Sequence, residues 1–412
     1  MKVVLINRSD TQGGAAVVSL RLIHALRNAG IDAKMLVVDK QDNDSFAQPV
    51  GNSLKNKWNF MMERMGIFLQ NGMKRDTLFK IDTATHGLNL AKHPMVKEAQ
   101  VVMLAWINQG TLSLKNIKKI AALGKPIVWV MHDMWNATGL CHHAYDCMQY
   151  TTTCEACPLL QSHGHDLSTC TQSRKADLYA QVPIHFVAVS HWLESVCRKS
   201  SLMRNSHIRV IPNAFPMYQF KWEKLADAHF HGIPANKKIM VMGARRLDDS
   251  VKGFELLINV TRHIAQHKPQ LARQLHLLLY GDIRDAQLLR QIALPYTHVG
   301  AVESTEALSE IYRHSDIVIS TSHFETLPGT LIEGQASGCI PVTFGQGGQP
   351  DIVNHMKSGY IARYKSAESM AEGIEWAVSQ PVSRQFLHQE VERKFSSENI
   401  AQQYIQLFNE IT

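Results

Sequence analysis

The sequence contains no long apolar run, no large excess of charge and no internal repeat. No segment of its 412 residues approaches the ~20 consecutive apolar residues of a membrane span, and the short apolar run of MKVVLINRSD falls far below a signal peptide. We therefore expect a cytoplasmic protein whose seven cysteines are mostly reduced. The net charge of +7 is too diffuse to indicate nucleic-acid binding, but it suits phosphorylated ligands or an anionic membrane surface.

The overall amino-acid composition is typical of a soluble globular protein. Hydrophobic residues make up 45% of the chain and charged residues 19%. A chain of this length exceeds one ordinary hydrophobic core, so we expect two domains of about 200 residues each.

The most informative stretch is Ser320–Val342, STSHFETLPGTLIEGQASGCIPV. An apolar strand precedes it, Gly329 and Thr330 follow a proline as in the first turn of a helix, and a second strand follows. In such a unit the helix start faces a crevice where backbone N–H groups attract phosphate. Glu325 would lie in the loop and Glu333 one turn into the helix. A carboxylate does not suit a phosphate, but it can accept hydrogen bonds from the hydroxyl groups of a ribose or a sugar. The stretch therefore predicts a site for a phosphorylated sugar, unless the two acids simply lie on an exposed helix.

This Glu-x7-Glu pattern, followed by Gln-Ala-Ser-Gly-Cys-Ile-Pro-Val, resembles the donor-site signature of the family-4 retaining glycosyltransferases. The resemblance implies an α/β chain with the GT-B fold, two Rossmann-like domains with parallel sheets and a cleft between them. It also implies that Glu333 binds the nucleotide ribose and that Glu325 lies beside the donor sugar. Transfer with retention, without an essential metal cofactor, is implied in the same way.

Two cations in the second half of the chain match the residues that bind the donor diphosphate in that family. Arg246 follows the predicted strand 238–243, and Lys252 precedes a glycine. Two fixed cations can stabilise the negative charge that builds up on a departing nucleoside diphosphate. The alternative is ordinary surface charge.

In the first half, Gly13 and Gly14 stand between a predicted strand and a predicted helix. They form either a plain tight turn or, as the resemblance implies, a loop facing the donor phosphates. His132 follows the predicted strand 126–131 and would face the crevice. There it could hydrogen-bond a sugar hydroxyl or assist proton movement near neutral pH, and the resemblance implies contact with the donor sugar. It could instead merely cap the strand.

Asp42 and Asp44 form an Asp-x-Asp triplet, which in another glycosyltransferase fold holds a metal and a diphosphate. A metal-dependent glycosyltransferase using these two acids is therefore an alternative, although their polar neighbours are typical of a loop. A non-catalytic protein that binds nucleotide, or a partner through a zinc ribbon, is a second alternative.

Residues 52–80 mix cations with large apolar side chains. Such a segment could lie on an anionic bilayer, with its apolar face buried and its cations near head groups. This would place the protein peripherally at the inner membrane face. The alternative is an amphipathic helix packed on its own domain.

A cluster of cysteines occupies residues 141–157. Four thiols with a final Cys-x-x-Cys can reach one tetrahedral metal, and zinc would give this polar insertion a core. A disulfide pair or free thiols are the alternatives. The candidate zinc ligands are Cys141, Cys147, Cys154 and Cys157.

We expect an acceptor-side domain over 1–213, with the Cys-rich insertion at about 139–172, and a linker over 214–237. A nucleotide-sugar-binding domain follows over 238–390, and residues 391–412 form a helix that crosses back to the first domain. The expected function is transfer of a sugar from a nucleotide diphosphate sugar to a hydroxyl of a glycan or lipid-linked oligosaccharide, in bacterial polysaccharide biosynthesis. No nucleic-acid partner is expected.

Overall fold

A computed structural model describes residues 1–161, 166–225, 230–380 and 382–412. The chain divides into unit 1, which contains Met1–Phe215 and Ser397–Thr412, and unit 2, which contains Pro216–Ser396. Residues 216–237, which the sequence assigned to a linker, belong to unit 2. The expected terminal segment is divided between the units, because residues 391–396 belong to unit 2 and residues 397–412 to unit 1.

Unit 1 is built on a sheet of seven parallel strands, ordered β3-β2-β1-β4-β5-β6-β7. Both faces of a parallel sheet are covered by helices, which explains why its central strands read as continuous apolar runs; Val3 through Ile6 and Ile127 through Met131 are all buried. The strands are β1 (Lys2–Ser9), β2 (Asp32–Asp39), β3 (Ala47–Pro49), β4 (Val101–Leu104), β5 (Ile127–Met131), β6 (Ile184–Ala188) and β7 (His207–Val210).

The first six α-helices of unit 1 lie between these strands along the chain. The predicted helix after Gly13 begins at Gly14 and ends before Gly30, whose φ of 85° is the left-handed value that favours glycine at a helix end. The helices are α1 (Gly14–Asn28), α2 (Ser53–Gln70), α3 (Pro94–Glu98), α4 (Leu114–Ala121), α5 (Leu167–Gln181) and α6 (His191–Lys199).

Unit 2 repeats this architecture with six parallel strands, ordered β10-β9-β8-β11-β12-β13. One hydrophobic core runs through the unit and includes Met240, Leu257, Leu277 and Val342. Its elements are β8 (Lys238–Arg246), α7 (Phe254–His267), α8 (Pro269–Gln274), β9 (Leu275–Asp282), β10 (Tyr296–His298), α9 (Thr305–His314), β11 (Ile317–Ser320), α10 (Gly329–Ala336), β12 (Ile340–Phe344), α11 (Gln349–Ile352), β13 (Tyr360–Ala362), α12 (Ala367–Ser379) and α13 (Arg384–Phe395).

Residues Ala286–Gln291, between β9 and β10, form a short 3-10 helix. Pro295 disfavours helical backbone at Leu294, so the segment does not continue as a helix into β10.

The last helix, α14 (Ser397–Ile411), packs on α1 as part of unit 1. Its buried side chains include Ile400, Tyr404 and Phe408. No helix in the four described ranges is both long enough and apolar enough to cross a bilayer.

Candidate functional site

Two neighbouring strands of unit 2 bring the predicted cations and the Glu-x7-Glu stretch to one edge of the sheet. β8 and β11 pair in parallel, with Met240 opposite Ile317 and Val241 opposite Val318. Their carboxyl ends therefore point the same way. Arg246 is the last residue of β8, and the loop that carries Glu325 leaves β11 beside it.

Gly253 allows the segment after β8 to run directly against the loop after β11. Its φ of 62° is left-handed, and a Cβ atom there would lie 2.2 Å from the carbonyl oxygen of Thr321. The Thr321 hydroxyl donates hydrogen bonds to the carbonyl oxygens of Gly253 at 2.9 Å and Lys252 at 3.2 Å. These contacts fix the position of Lys252 relative to the β11 loop.

Lys252 and Glu325 form an ion pair at this edge. Lys252 Nζ lies 2.5 Å from Glu325 Oε1, and their side chains are 30% and 19% exposed. Ser322 donates a second hydrogen bond to the same oxygen at 3.0 Å. Burial alone lowers the pKa of Lys252, but the charge and hydrogen bond of Glu325 outweigh it, so the pKa is raised. Lys252 is therefore a fixed cation at neutral pH.

Arg246 is the second predicted cation of this edge, and its side chain is 38% exposed. Its Nε lies 3.2 Å from Asp248 Oδ1, and its Nη2 lies 3.7 Å from Asp249 Oδ2. Such exposed pairs contribute little to stability. Both carboxylates therefore lie within ion-pair distance of the guanidinium, part of which remains accessible.

Helix α10 begins at Gly329, as the Pro-Gly-Thr sequence predicted, with Pro328 as its N-cap. Gly329 is exposed and Thr330 is partly exposed. Glu333 lies one turn further, close enough for its charge to raise the pKa of Tyr280 and Tyr312, although burial is the larger cause. The two phenols share a hydrogen bond of 2.6 Å below the helix.

The glycine-rich loop after β12 also reaches this edge. Gly348 donates its N–H to the carbonyl oxygen of Glu325 at 2.8 Å, and Gly347 forms a parallel bridge with the same residue. The loop after β12 therefore also fixes the backbone around Glu325.

The remaining predicted binding residues lie in unit 1. Gly13 is the N-cap of α1, with a φ of 88° that favours glycine, and Gly14 begins the helix. Both are exposed, and a Cβ at either would meet nothing within 4 Å.

His132 follows β5 and lines a small pocket of unit 1 with Ser19, Asn213 and Tyr404. Its Nε2 atom is buried and has no hydrogen-bond partner in the described part of the chain. Burial lowers the pKa of His132 to about 4. The ring is therefore neutral at pH 7, where it can exchange hydrogen bonds with a hydroxyl but does not carry a proton as imidazolium.

Next to His132 lies a buried charged network that the sequence did not reveal. His142 places Nδ1 at 2.7 Å from Asp133 Oδ2 and Nε2 at 2.9 Å from Asp82 Oδ2. Burial alone would lower the pKa of His142, but the two carboxylates raise it to about 10. Arg64 of α2 pairs with the other oxygen of Asp82. We call these four residues the unit 1 charge network.

The Cys-rich insertion is attached to unit 1 through His142 and through an apolar cluster. That cluster joins Ile67 of α2 and Ile81 to Leu140, Cys157 and Leu160 of the insertion. The insertion therefore shares an apolar cluster with α2.

The predicted zinc ligands Cys141, Cys147, Cys154 and Cys157 are all free thiols. Within residues 1–161, 166–225, 230–380 and 382–412, no group of three or more His, Cys, Asp or Glu side chains is arranged to hold a metal ion. Burial raises the pKa of Cys141 to about 12 and that of Cys157 to about 11, so both are thiols at neutral pH. The zinc site stays a prediction.

Asp42 and Asp44 take part in loop contacts. Asp44 Oδ2 lies 2.6 Å from His24 Nε2, and its Oδ1 accepts the N–H of Phe46 at 2.7 Å. Asp42 accepts the N–H of Asn43 at 2.6 Å. Both carboxylates therefore stabilise the turn in which they stand.

Comparison with protein families gives a match for unit 2. Residues 224–394 match the family model described as glycosyl transferases group 1. The matched range lies inside unit 2 and contains Arg246, Lys252, Glu325 and Glu333. Unit 2 thus carries the sequence pattern of this family.

Two curated relatives are similar over part of the chain. An uncharacterised glycosyltransferase of Methanocaldococcus jannaschii is 26% identical over 215 residues, which is 49% of this chain and 53% of the relative. D-inositol 3-phosphate glycosyltransferase of Saccharomonospora viridis is 24% identical over 166 residues, or 38% of either chain. The chain spans about half, or less, of the length of these relatives.

Solved structures match the fold over the whole chain. Sucrose-phosphate synthase of Thermosynechococcus elongatus has a TM-score of 0.64 at 17% identity and covers 100% of this chain and 98% of its own. Anabaena HepE in complex with UDP and glucose has a TM-score of 0.62 at 15% identity, with 99% of both chains covered. These neighbours show the GT-B fold.

Proposed function

We propose that the protein is a glycosyltransferase of the hexosyl-transferring type. It moves a sugar from a nucleotide diphosphate sugar to a hydroxyl of a glycan or lipid-linked oligosaccharide. The observation that carries this proposal is the Lys252–Glu325 pair of 2.5 Å, held beside Arg246 and the start of α10 within the range that matches glycosyl transferases group 1. A structural neighbour in complex with UDP and glucose supports the choice of donor.

In the proposed site the cations bind the diphosphate, and the carboxylates bind hydroxyl groups of the donor. Lys252 offers a point charge and Arg246 a planar fork of N–H donors, both suited to phosphate oxygens. The exposed first turn of α10 adds backbone N–H groups. Glu325 and Glu333 accept hydrogen bonds from the donor sugar and the ribose.

The reaction proposed is transfer with retention and without an essential metal. The bond between the anomeric carbon and the phosphate oxygen breaks as the bond to the acceptor oxygen forms on the same face. The acceptor hydroxyl gives its proton to the departing phosphate. Lys252 and Arg246 stabilise the charge that develops on that phosphate, because fixed cations in a partly buried site need little reorganisation.

His132 and the loop at Gly13 and Gly14 are proposed to contribute from unit 1. With its pKa lowered to about 4 by burial, His132 would hydrogen-bond a sugar hydroxyl as a neutral ring. His132→Gln, which retains hydrogen-bonding groups, should therefore keep more activity than His132→Ala.

The test is incubation of the full chain with a panel of nucleotide sugars and glycan acceptors, with and without EDTA. We expect release of nucleoside diphosphate that EDTA leaves unchanged. Loss of turnover in EDTA that added Mg²⁺ or Mn²⁺ restores would favour the metal-dependent alternative through Asp42 and Asp44, whereas loss that only zinc restores would point to the Cys-rich insertion. Nucleotide binding without sugar transfer to any acceptor would favour a non-catalytic protein.

The zinc proposal has a separate test. We expect elemental analysis of protein purified without chelators to show about one zinc per chain, since four thiols can complete one tetrahedral site. Cys154→Ser with Cys157→Ser should remove it, whereas Cys339→Ser, a buried cysteine of unit 2, should not. Metal-free protein with full activity would reject the proposal.

A further inference from the structure

Helix α2 presents a continuous apolar stripe to solvent. Leu54, Trp58 and Leu69 are 82%, 57% and 61% exposed, and Met61 and Met65 between them are 48% and 45% exposed. Steps of three and four residues place these side chains on one face of a helix. Single exposed apolar residues are ordinary, but a contiguous patch marks an interaction surface.

Two further large apolar side chains beyond the helix are exposed, and cations accompany the stripe. Met73 and Phe79 are 66% and 59% exposed. Within residues 53–80 five cations are exposed and one acid, Asp76, accompanies them. We call the stripe with its cations the α2 surface. The cations are Lys55, Lys57, Lys74, Arg75 and Lys80.

The opposite face of α2 is fixed to unit 1, so the stripe cannot turn inward. Glu63 accepts the N–H of Gly110 at 2.7 Å, and Arg64 donates to the carbonyl oxygen of Ile81 at 3.1 Å and pairs with Asp82. Both side chains are buried. The apolar stripe is therefore the outer face of a helix whose inner face already has its partners.

We infer that the α2 surface docks on an anionic lipid bilayer. Large apolar side chains flanked by lysines partition into the interface between head groups and acyl chains, while the cations stay near anionic head groups. A second copy of the chain fits poorly, because self-association would bring two sets of cations together. The inference goes beyond the proposed transfer reaction and needs no nucleotide sugar to be tested.

The test is flotation of the full chain with vesicles of phosphatidylcholine alone or mixed with phosphatidylglycerol. We expect binding to the mixed vesicles that weakens as salt screens the cations. Each lysine near the surface is worth about 1 kcal/mol, or ~5-fold in affinity, so Lys57→Gln should weaken binding ~5-fold and Lys55→Gln with Lys57→Gln ~30-fold. Trp58→Ser should weaken binding at low and high salt alike.

Matched controls come from unit 2, where Tyr218 is 81% exposed and Lys357 is also exposed. Tyr218→Ser and Lys357→Gln should bind like the unchanged protein, and all variants should show its thermal unfolding curve. Equal affinity for neutral and anionic vesicles, or none for either, would overturn the inference. So would a dimer in solution that Trp58→Ser dissociates. If the full chain releases nucleoside diphosphate but does not bind vesicles, the membrane inference fails and the proposed function is still supported.

Discussion

At the carboxyl ends of the unit 1 strands, Asp82 and Asp133 are paired with the cations of Arg64 and His142, and the Asp82 side chain is 0% exposed. At the corresponding edge of unit 2, Lys252 and Arg246 are paired too, but their side chains are 30% and 38% exposed. The charges of the first set are paired within the fold. The cations of the second set remain partly exposed, so a ligand can reach them. A cluster of charged residues therefore indicates a binding site only where the charges are accessible.

Among the substitutions that test this difference between the two edges, we expect Asp82→Asn to cause the largest loss of unfolding free energy. Asp82→Asn removes the carboxylate that pairs with Arg64 and His142, so two buried cationic groups lose a partner. Breaking a buried pair costs about 3–5 kcal/mol of unfolding free energy. Urea unfolding followed by circular dichroism would measure it.

The control for Asp82 is the exposed pair between Arg209 and Glu410, 2.5 Å apart in the same unit. Arg209→Ala should leave the unfolding free energy close to that of the unchanged protein, because an exposed pair contributes little. Similar losses for Asp82→Asn and Arg209→Ala would mean that the unit 1 charge network does not stabilise the fold.

The pH dependence of stability tests the same network through His142. Its pKa is raised from 6.5 to about 10, so its contribution is fully present below pH 6.5 and is lost as pH rises through about 10. Lys175 acts in the opposite direction, because burial lowers its pKa to about 7. The quantity to measure is therefore the difference in unfolding free energy between the unchanged protein and His142→Gln.

We expect that difference to shrink as pH rises from 6.5 towards 10, because the unfolded chain then no longer carries the His142 proton and folding must take one up from solution. A difference that stays constant across this range would show that His142 acts as a neutral packing residue. His388→Gln in unit 2, whose ring lies 2.7 Å from the carbonyl oxygen of Ala336, is a control outside the network.

The smaller expected effects concern the unit 2 edge and appear in function rather than stability. Lys252→Ala should lower turnover and Glu333→Ala should weaken donor binding, since each removes a charge-assisted contact worth about 1.5–3 kcal/mol. Steady-state kinetics with the donor identified in the panel would separate the two effects. Near-unchanged rates in both variants would place the donor site elsewhere.

A matched control for the edge is Lys268→Ala, which removes an ion pair of 2.6 Å with Glu375 on the outer helices of unit 2. It should leave kinetics unchanged. If Lys252→Ala lowered unfolding free energy as much as Asp82→Asn does, the two edges would not differ in the way proposed.

The loop and the helix start at the unit 2 edge could be predicted from the sequence because these parts are local, whereas Lys252 and Glu325 are 73 residues apart and only the family resemblance assigned them to one site. A strand, Pro328 with Gly329 and a second strand specify a loop and a helix start within 23 residues, and the structure has α10 at Gly329–Ala336. The position of Lys252 against the β11 loop also depends on Gly253. The sequence shows that a glycine stands there, but it does not show that the glycine packs against Thr321.

The unit 1 network could not be predicted, because its partners are distant in sequence. Asp82 meets Arg64 across a loop and His142 across 60 residues, and no periodicity links such positions. The apolar contacts of the Cys-rich insertion could not be predicted for a similar reason, since Ile67, which packs against it, belongs to a helix far upstream.

The return of α14 to unit 1 has a consequence for how the chain is made. Unit 1 is assembled from Met1–Phe215 and Ser397–Thr412, with all of unit 2 between them. During translation α14 leaves the ribosome only after unit 2 has been synthesised, so the α1 side of unit 1 stays without Tyr404 and Phe408 until then. Unit 2, formed by one contiguous segment, can complete its core first.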